Sequence, residues 1–290
     1  MAQVARLIGQ RLLGVHCQQP QGSTTRIPMW RGELFLDSLI VCSDFCLCGT
    51  LITMILRLWG KKSAVGISYQ TLITVVGART LHIVSHSISL HYQPAQMPWL
   101  IYPTLDGINA VLGAALFGSL WIFYSTYEKE KDNFGIHIFS KFNLLPKTGP
   151  FSESPMMAAS FLYACIAIGA LVWYRYRRAP HSFAISYFCC FYEVMGAVAL
   201  IPQLFMFHKD KRVSPLLANF VVLTALNRVF TLSFWVFYTW VYPYRSPDNR
   251  GIQMASETLN LLILSDFLFF WIRSKIRGDR EVIIGWESEV

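Results

Sequence analysis

Seven apolar runs of roughly 18–25 residues constrain this chain more than anything else, because that is the helix length needed to cross a bilayer. They lie at 34–57, 67–88, 99–124, 156–174, 183–207, 215–241 and 252–272. Inside hydrocarbon a segment must bond its own N–H and C=O groups, so each run is read as a helix. A soluble protein of 290 residues would show amphipathic periods instead. It would also carry about 25% charged residues, against 14% here. The expected fold is therefore an all-α integral membrane protein with seven transmembrane helices over 34–272. Residues 1–33 are expected to form a disordered extension and 273–290 a basic tail.

Lysine and arginine counts orient the chain. The N-terminal segment and the loops on its side hold nine; the opposite loops and the tail hold fourteen. The N-terminus is thus expected to face away from the cytosol and the C-terminus into it. The net charge of +8 would suggest nucleic acid in a soluble protein. In a membrane protein it fits basic loops facing anionic headgroups, so membrane lipid is the expected partner and nucleic acid is not. Six of the seven cysteines fall inside apolar runs. Cys42, Cys46 and Cys48 lack the turn chemistry of a metal site and read as small packing residues. No metal or cofactor is expected.

A faint internal repeat is visible. The first span ends in Arg57, Lys61 and Lys62, followed by Ile67-Ser68 and a span bearing one arginine, Arg79. The fifth ends in Lys209, Lys211 and Arg212, followed by Val213-Ser214 and a span bearing Arg228. Two parallel three-helix units joined by the fourth helix produce this pattern, as in small transporters that bind between their repeats; chance similarity is the competing explanation.

Charge inside the membrane is expensive and survives where it is paired or useful. Arg79, His82 and His86 share one helical face, a fixed cation beside two titratable rings that suits a carboxylate ligand. The alternative is a structural ion pair with histidines bonded to backbone carbonyls. Asp37 and Asp44 share a face of the first span, Asp106 and Asn109 one of the third. Glu193, Asn227, Arg228 and Asp266 are also deep, whereas Glu257 is read as close to the interface. Such a set builds a polar cavity. It offers no nucleophile–base pair and no phosphate-binding glycine loop, so an enzyme is the least supported class. Trp235, Phe237, Tyr238, Trp240, Tyr242 and Tyr244 read mainly as an interfacial belt, with one or two free to line the cavity.

From L-I-P-Q-L-F-M (Leu200–Met206) onward the chain resembles the KDEL receptors, through Asn227-Arg228, Trp235 and the S-D-F of Ser265–Phe267 to a basic tail. Upstream, Trp59, Gly66-Ile67-Ser68 and Ala78-Arg79 fit as well, so the resemblance covers about residues 34–280. It implies a seven-helix fold related to the SWEET and PQ-loop proteins. It also implies a receptor that binds the C-terminal tetrapeptide of luminal proteins in the acidic Golgi, releases it at neutral pH, and recruits coat proteins through its tail. The expected location is the endoplasmic reticulum and Golgi membrane.

The scaffold matches better than the pocket. Arg79 stands at the family's carboxylate-binding arginine and Asp44 and Arg228 at matching positions. Thr80, His82 and Asn227 replace an aromatic, an aspartate and a tyrosine. Ile40 and Tyr238 stand at the other two ligand arginines, Leu47 at the pH-sensing histidine, and Gly196 at a glutamate. Ser186 and Cys189 replace an acid and a tryptophan, and Asp279-Arg280 the dibasic pair. Losing two of three arginines removes charge-assisted bonds worth about 1.5–3 kcal/mol each. On this reading the ligand residues are Arg79, Thr80, His82, His86, Arg228, Trp235 and Tyr238. His82 and His86 are the proton sensors, and Asp44, Glu193, Asn227 and Asp266 the switch and support, with Arg228 paired to an acid such as Glu193. The alternatives are an anion transporter on the same fold and a structural membrane protein with a degenerate pocket.

Overall fold

The computed structural model describes residues 29–92, 101–141, 155–176, 183–242 and 250–285; most of the expected N-terminal extension lies outside them. The long helices are α1 (Met29–Lys61), α2 (Tyr69–Tyr92) and α3 (Ile101–Ile122). A 3-10 turn at Tyr124–Thr126 and the short α4 (Phe134–Lys141) lead to α5 (Pro155–Tyr176) and α6 (Phe183–Val198). Then come α7 (Ile201–Asp210), β1 (Arg212–Val213), α8 (Pro215–Val241), α9 (Arg250–Arg277) and β2 (Val282–Ile283). Six segments among the described residues are long and apolar enough to cross a membrane: those within α1, α3, α5, α6–α7, α8 and α9. Large apolar side chains face outward along them, including Trp121 (83% exposed) and Trp240 (81%). A soluble protein would bury such surface, and lipid covers it in a multi-pass membrane protein.

α1 packs chiefly on α8 and α3, α2 on α6, and α9 on α8 and α6. The close-packed core lies toward the α1–α2 turn. There Met54, Leu58, Leu72, Leu116, Phe207, Phe220 and Leu264 are buried from solvent.

The fifth run is not one helix. Pro202 has no N–H to give the carbonyl of Val198, so the chain turns at Ala199-Leu200 and restarts as α7 with proline in its first turn. The carbonyls released by the break are taken by side chains. Asn260 Nδ2 donates to Gly196 O (3.0 Å) and Ala197 O (2.7 Å), and Arg228 Nη2 donates to Gly196 O (3.0 Å). Irregular backbone at membrane depth persists where protein groups satisfy it in this way.

The residue after that proline explains why the P-Q pair belongs together. Gln203 is buried, and its Oε1 accepts the Ser68 N–H (2.8 Å) just ahead of α2. Its Nε2 donates to Gly66 O (2.8 Å), and its own N–H donates to Thr71 Oγ1 (3.0 Å). Gly66 has φ +77°, which an L side chain rarely adopts, so the turn needs glycine there. A second distant group completes the cap. Asp132 accepts from Ser68 Oγ (2.8 Å), Tyr69 N–H (2.8 Å), Gln70 N–H (3.3 Å) and the Tyr127 hydroxyl. Burial pushes this carboxyl's pKa up, against the pull of those donors. The N-terminal N–H groups of α2 are thus satisfied by residues from two other parts of the chain.

The tail is not a free extension over its described part. After α9 the N–H groups of Gly278 and Asp279 bond Lys275 O and Ser274 O, a turn that uses Gly278 at φ +77° to reverse the chain. Residues 282–283 then pair antiparallel with 212–213, and Ile284 N–H bonds Lys211 O (2.9 Å). Val282 and Ile284 are buried in the main core. Two-residue strands carry no periodic signal, so the sequence shows only the basic character of the segment.

Candidate functional site

A cavity of about 260 Å³, open on one side, lies between α1, α2, α6, α8 and α9, bordered by the break at Ala199-Leu200. Each helix contributes polar side chains: Ser43 and Asp44 on α1, Arg79 and His82 on α2, and Tyr192 and Glu193 on α6. Asn227, Arg228, Thr231 and Trp235 come from α8, and Gln253, Ser256 and Glu257 from α9.

Arg79 is held by two carboxylates. Its Nη2 donates to Asp44 Oδ1 (2.8 Å) and to Asp106 Oδ1 (2.6 Å), while Nη1 lies 3.3 Å from His82 Nδ1. The three side chains are 10–14% exposed, which strengthens their attraction relative to water. His82 stands edge-on to Tyr192 with centroids 5.3 Å apart. Across the cavity Arg228 pairs with Glu257 through Nη1 (3.1 Å). Glu193 accepts instead from Trp173 Nε1 (2.9 Å) and Gln253 Nε2 (3.2 Å). The expected Arg228–Glu193 pairing is thus replaced, because α9 brings Glu257 to the guanidinium while α5 and α9 supply donors to Glu193. Asn227 ties α8 to α1 through Ser43 O (2.8 Å) and Ser43 Oγ (2.7 Å).

Of the residues singled out in the sequence, Asp44, Arg79, His82, Glu193, Asn227, Arg228 and Trp235 line this cavity. Thr80 faces a separate small niche beside Asn109, with its hydroxyl on Val76 O (2.9 Å). Tyr238 lies one turn beyond Trp235 and packs on it and on Tyr242, outside the cavity lining. Asp266 is 60% exposed on the outside of α9, 3.4 Å from His208. The His86 side chain lies outside the described residues. Glu257, expected near the interface, lines the cavity as well, together with Gln253 and Ser256, which were not among the expected residues. The signal was there, since 253, 256, 257 and 260 form a polar stripe at helical spacing.

The sequence profile of the ER lumen protein retaining receptor family matches residues 63–238, more than half of the chain. The chain belongs to that family. Relatives agree over most of its length. An ER lumen protein-retaining receptor of Dictyostelium discoideum is 24% identical over 250 residues, 83% of this chain and 95% of the relative. ER lumen protein-retaining receptor 3 of Mus musculus is 22% identical over 79% of this chain and 90% of its own length. The Danio rerio receptor 3 is 23% identical over 81% and 92%. The matched segment begins at the α1–α2 turn and ends in α8, so it contains the P-Q pair, Gly66-Ile67-Ser68, Arg79 and Arg228.

Gly196 gives the site a specific test. A Cβ there would lie 2.9 Å from Arg228 Nη2, so Gly196→Ala is expected to push the guanidinium off Gly196 O while leaving the fold intact. Because Arg228 is the flexible partner, the expected cost is about 1 kcal/mol in thermal stability. If Arg228 forms a wall of a binding site, affinity there should fall about tenfold. Unchanged binding would mean that Arg228 need not sit against the α6 break.

Proposed function

We propose that this chain is a cargo receptor that binds the C-terminal retention signal of luminal proteins in the Golgi and returns them to the endoplasmic reticulum. Membership of a family of retention receptors, with the guanidinium of Arg79 lining a central cavity, is the observation that carries this reading. Arg79 receives the peptide carboxylate, and Arg228 with Glu257 forms the opposite wall. His82, where an acid would suit a lysine, favours tails without lysine at the fourth position from the end. Binding at acidic pH and release at neutral pH complete the cycle, with coat proteins recruited at the tail.

The proposed frame has seven spans, the six long apolar segments plus α2 as the second in order; the 24 residues of α2 reach about 36 Å. Two parallel three-helix units are supported by the packing: α3 contacts both α1 and α2, and α9 contacts both α6 and α8. Lys62 and Lys211, which end the first helix of each unit, both have positive φ. A luminal N-terminus and cytosolic C-terminus rest on the lysine and arginine asymmetry.

The test is binding of C-terminal tetrapeptides, as free acids and as amides, to the purified full chain at pH about 5.5 and about 7.2. Tighter binding of free acids at the lower pH supports the receptor. Equal binding of peptides varied at the fourth position removes the proposed role of His82. No binding by any peptide at either pH rejects retrieval and favours an anionic solute carried on the same fold.

A further inference from the structure

The arrangement around Arg79 has a consequence for the proposed ligand and rests on that reading. A guanidinium offers a carboxylate two forks, Nη1 with Nη2 and Nε with Nη2, and both use Nη2. Here the two N–H bonds of Nη2 are directed to Asp44 and Asp106. Arg79 Nε is buried without a hydrogen-bond partner among the described residues, and Nη1 faces His82. One positive group thus already serves two carboxylates from two other helices. A ligand carboxylate would be the third.

We infer that Asp106 is a specificity-determining residue: a resident anion on Arg79 that restricts binding to conditions in which the Asp44–Asp106 pair takes up a proton. With both aspartates ionised the trio carries a net charge of −1, and an incoming carboxylate would make it −2 in a partly buried site. Like charges this close do not all stay ionised. One proton on either aspartate restores an Nη2 N–H to the ligand and returns the liganded site to −1. Asp44 lines the cavity, whereas Asp106 reaches Arg79 from α3, outside the lining. Removing the Asp106 charge therefore changes the electrostatics of the site without removing a cavity wall.

Other ionisable groups surround the trio. His82 is on the same helix, Tyr192 and Glu193 are on α6, and Arg228 and Glu257 are on α8 and α9. Cys48 bonds Asn109 on the far side, and Tyr163 on α5 reaches only as far as Thr74. All of them are retained in an Asp106→Asn variant, so a comparison with the unsubstituted chain reads the consequence of removing this one carboxylate.

The experiment titrates propionate, with propionamide as the neutral control, into the full chain in detergent and reads the thermal midpoint at pH about 5.5 and about 7.2. The unsubstituted chain is expected to bind propionate about tenfold more tightly per unit fall in pH, the signature of one proton taken up. Asp106→Asn should bind propionate at neutral pH with at least about tenfold higher affinity than the unsubstituted chain, and its pH dependence should be flatter by one proton. Propionamide should bind neither. Asp44→Asn provides a second route to the same release if Asp106→Asn does not fold. Matching affinities and slopes in variant and parent overturn the inference, as does the absence of a propionate response in every protein. The propionate response without any peptide binding would leave the inference standing and remove the retrieval receptor.

Discussion

Arg79→Ala is expected to destabilise the whole protein, not only to empty its site. Without the guanidinium, Asp44 and Asp106 lose the cation that both of them accept from, each carboxylate about nine-tenths buried. Breaking a buried pair in this way costs about 3–5 kcal/mol, because the carboxylates left behind have lost both solvent and the guanidinium that offset its loss. A large share of the stability of an ordinary domain would go with it. The variant should therefore express poorly and melt well below the parent. Arg79→Ala combined with Asp44→Asn and Asp106→Asn should recover most of that loss while remaining unable to bind a carboxylate. Thermal melts of the three proteins in one detergent check this. If Arg79→Ala alone melts like the parent, the aspartates are satisfied without it and Arg79 is not the keystone of this end of the cavity. A binding assay on Arg79→Ala alone would confuse an unfolded receptor with an empty one.

Gln203→Leu should have an effect of similar size far from the cavity. The substitution keeps the volume but removes both bonds of the buried amide, leaving the Ser68 N–H and the Gly66 carbonyl without partners. An unsatisfied buried group costs about 1–3 kcal/mol, so the pair amounts to about 2–6 kcal/mol. The thermal midpoint should fall by about 5–15 °C. Gln203→Glu keeps the acceptor for Ser68 but turns a carboxylate oxygen toward the Gly66 carbonyl, and should lose a comparable amount for a different reason. A parent-like melt in Gln203→Leu would show that the turn before α2 satisfies itself.

The membrane runs, the arginines and the acids around them were legible because hydrocarbon penalises charge so strongly that Arg79, Asp44 and Arg228 stand out as single letters. Pairing was less legible. By position along the chain Glu193 reads as the deep acid and Glu257 as an interfacial one, and only the packing of α9 against α8 brings Glu257 to Arg228. Asp266 looked like part of the same polar set, yet it sits on the opposite side of α9 from Glu257. Pro202 was visible, but proline is tolerated in membrane helices, so its presence alone did not announce the break that exposes Gly196 and Ala197. The β1–β2 pairing was hidden, because two residues are too few to show an alternating pattern.

The capping of α2 also bears on how the protein is made. α2 leaves the ribosome carrying Gln70, Thr71, Thr74, Arg79 and His82, which makes it a poor candidate to enter lipid alone. Three of the groups that satisfy it, Asp106, Asp132 and Gln203, are synthesised later, the last of them more than a hundred residues afterwards. α2 therefore cannot reach its final environment until α7 has arrived. Biogenesis must keep it in a sheltered, partly hydrated place meanwhile, and the P-Q pair supplies the contact that ends the wait.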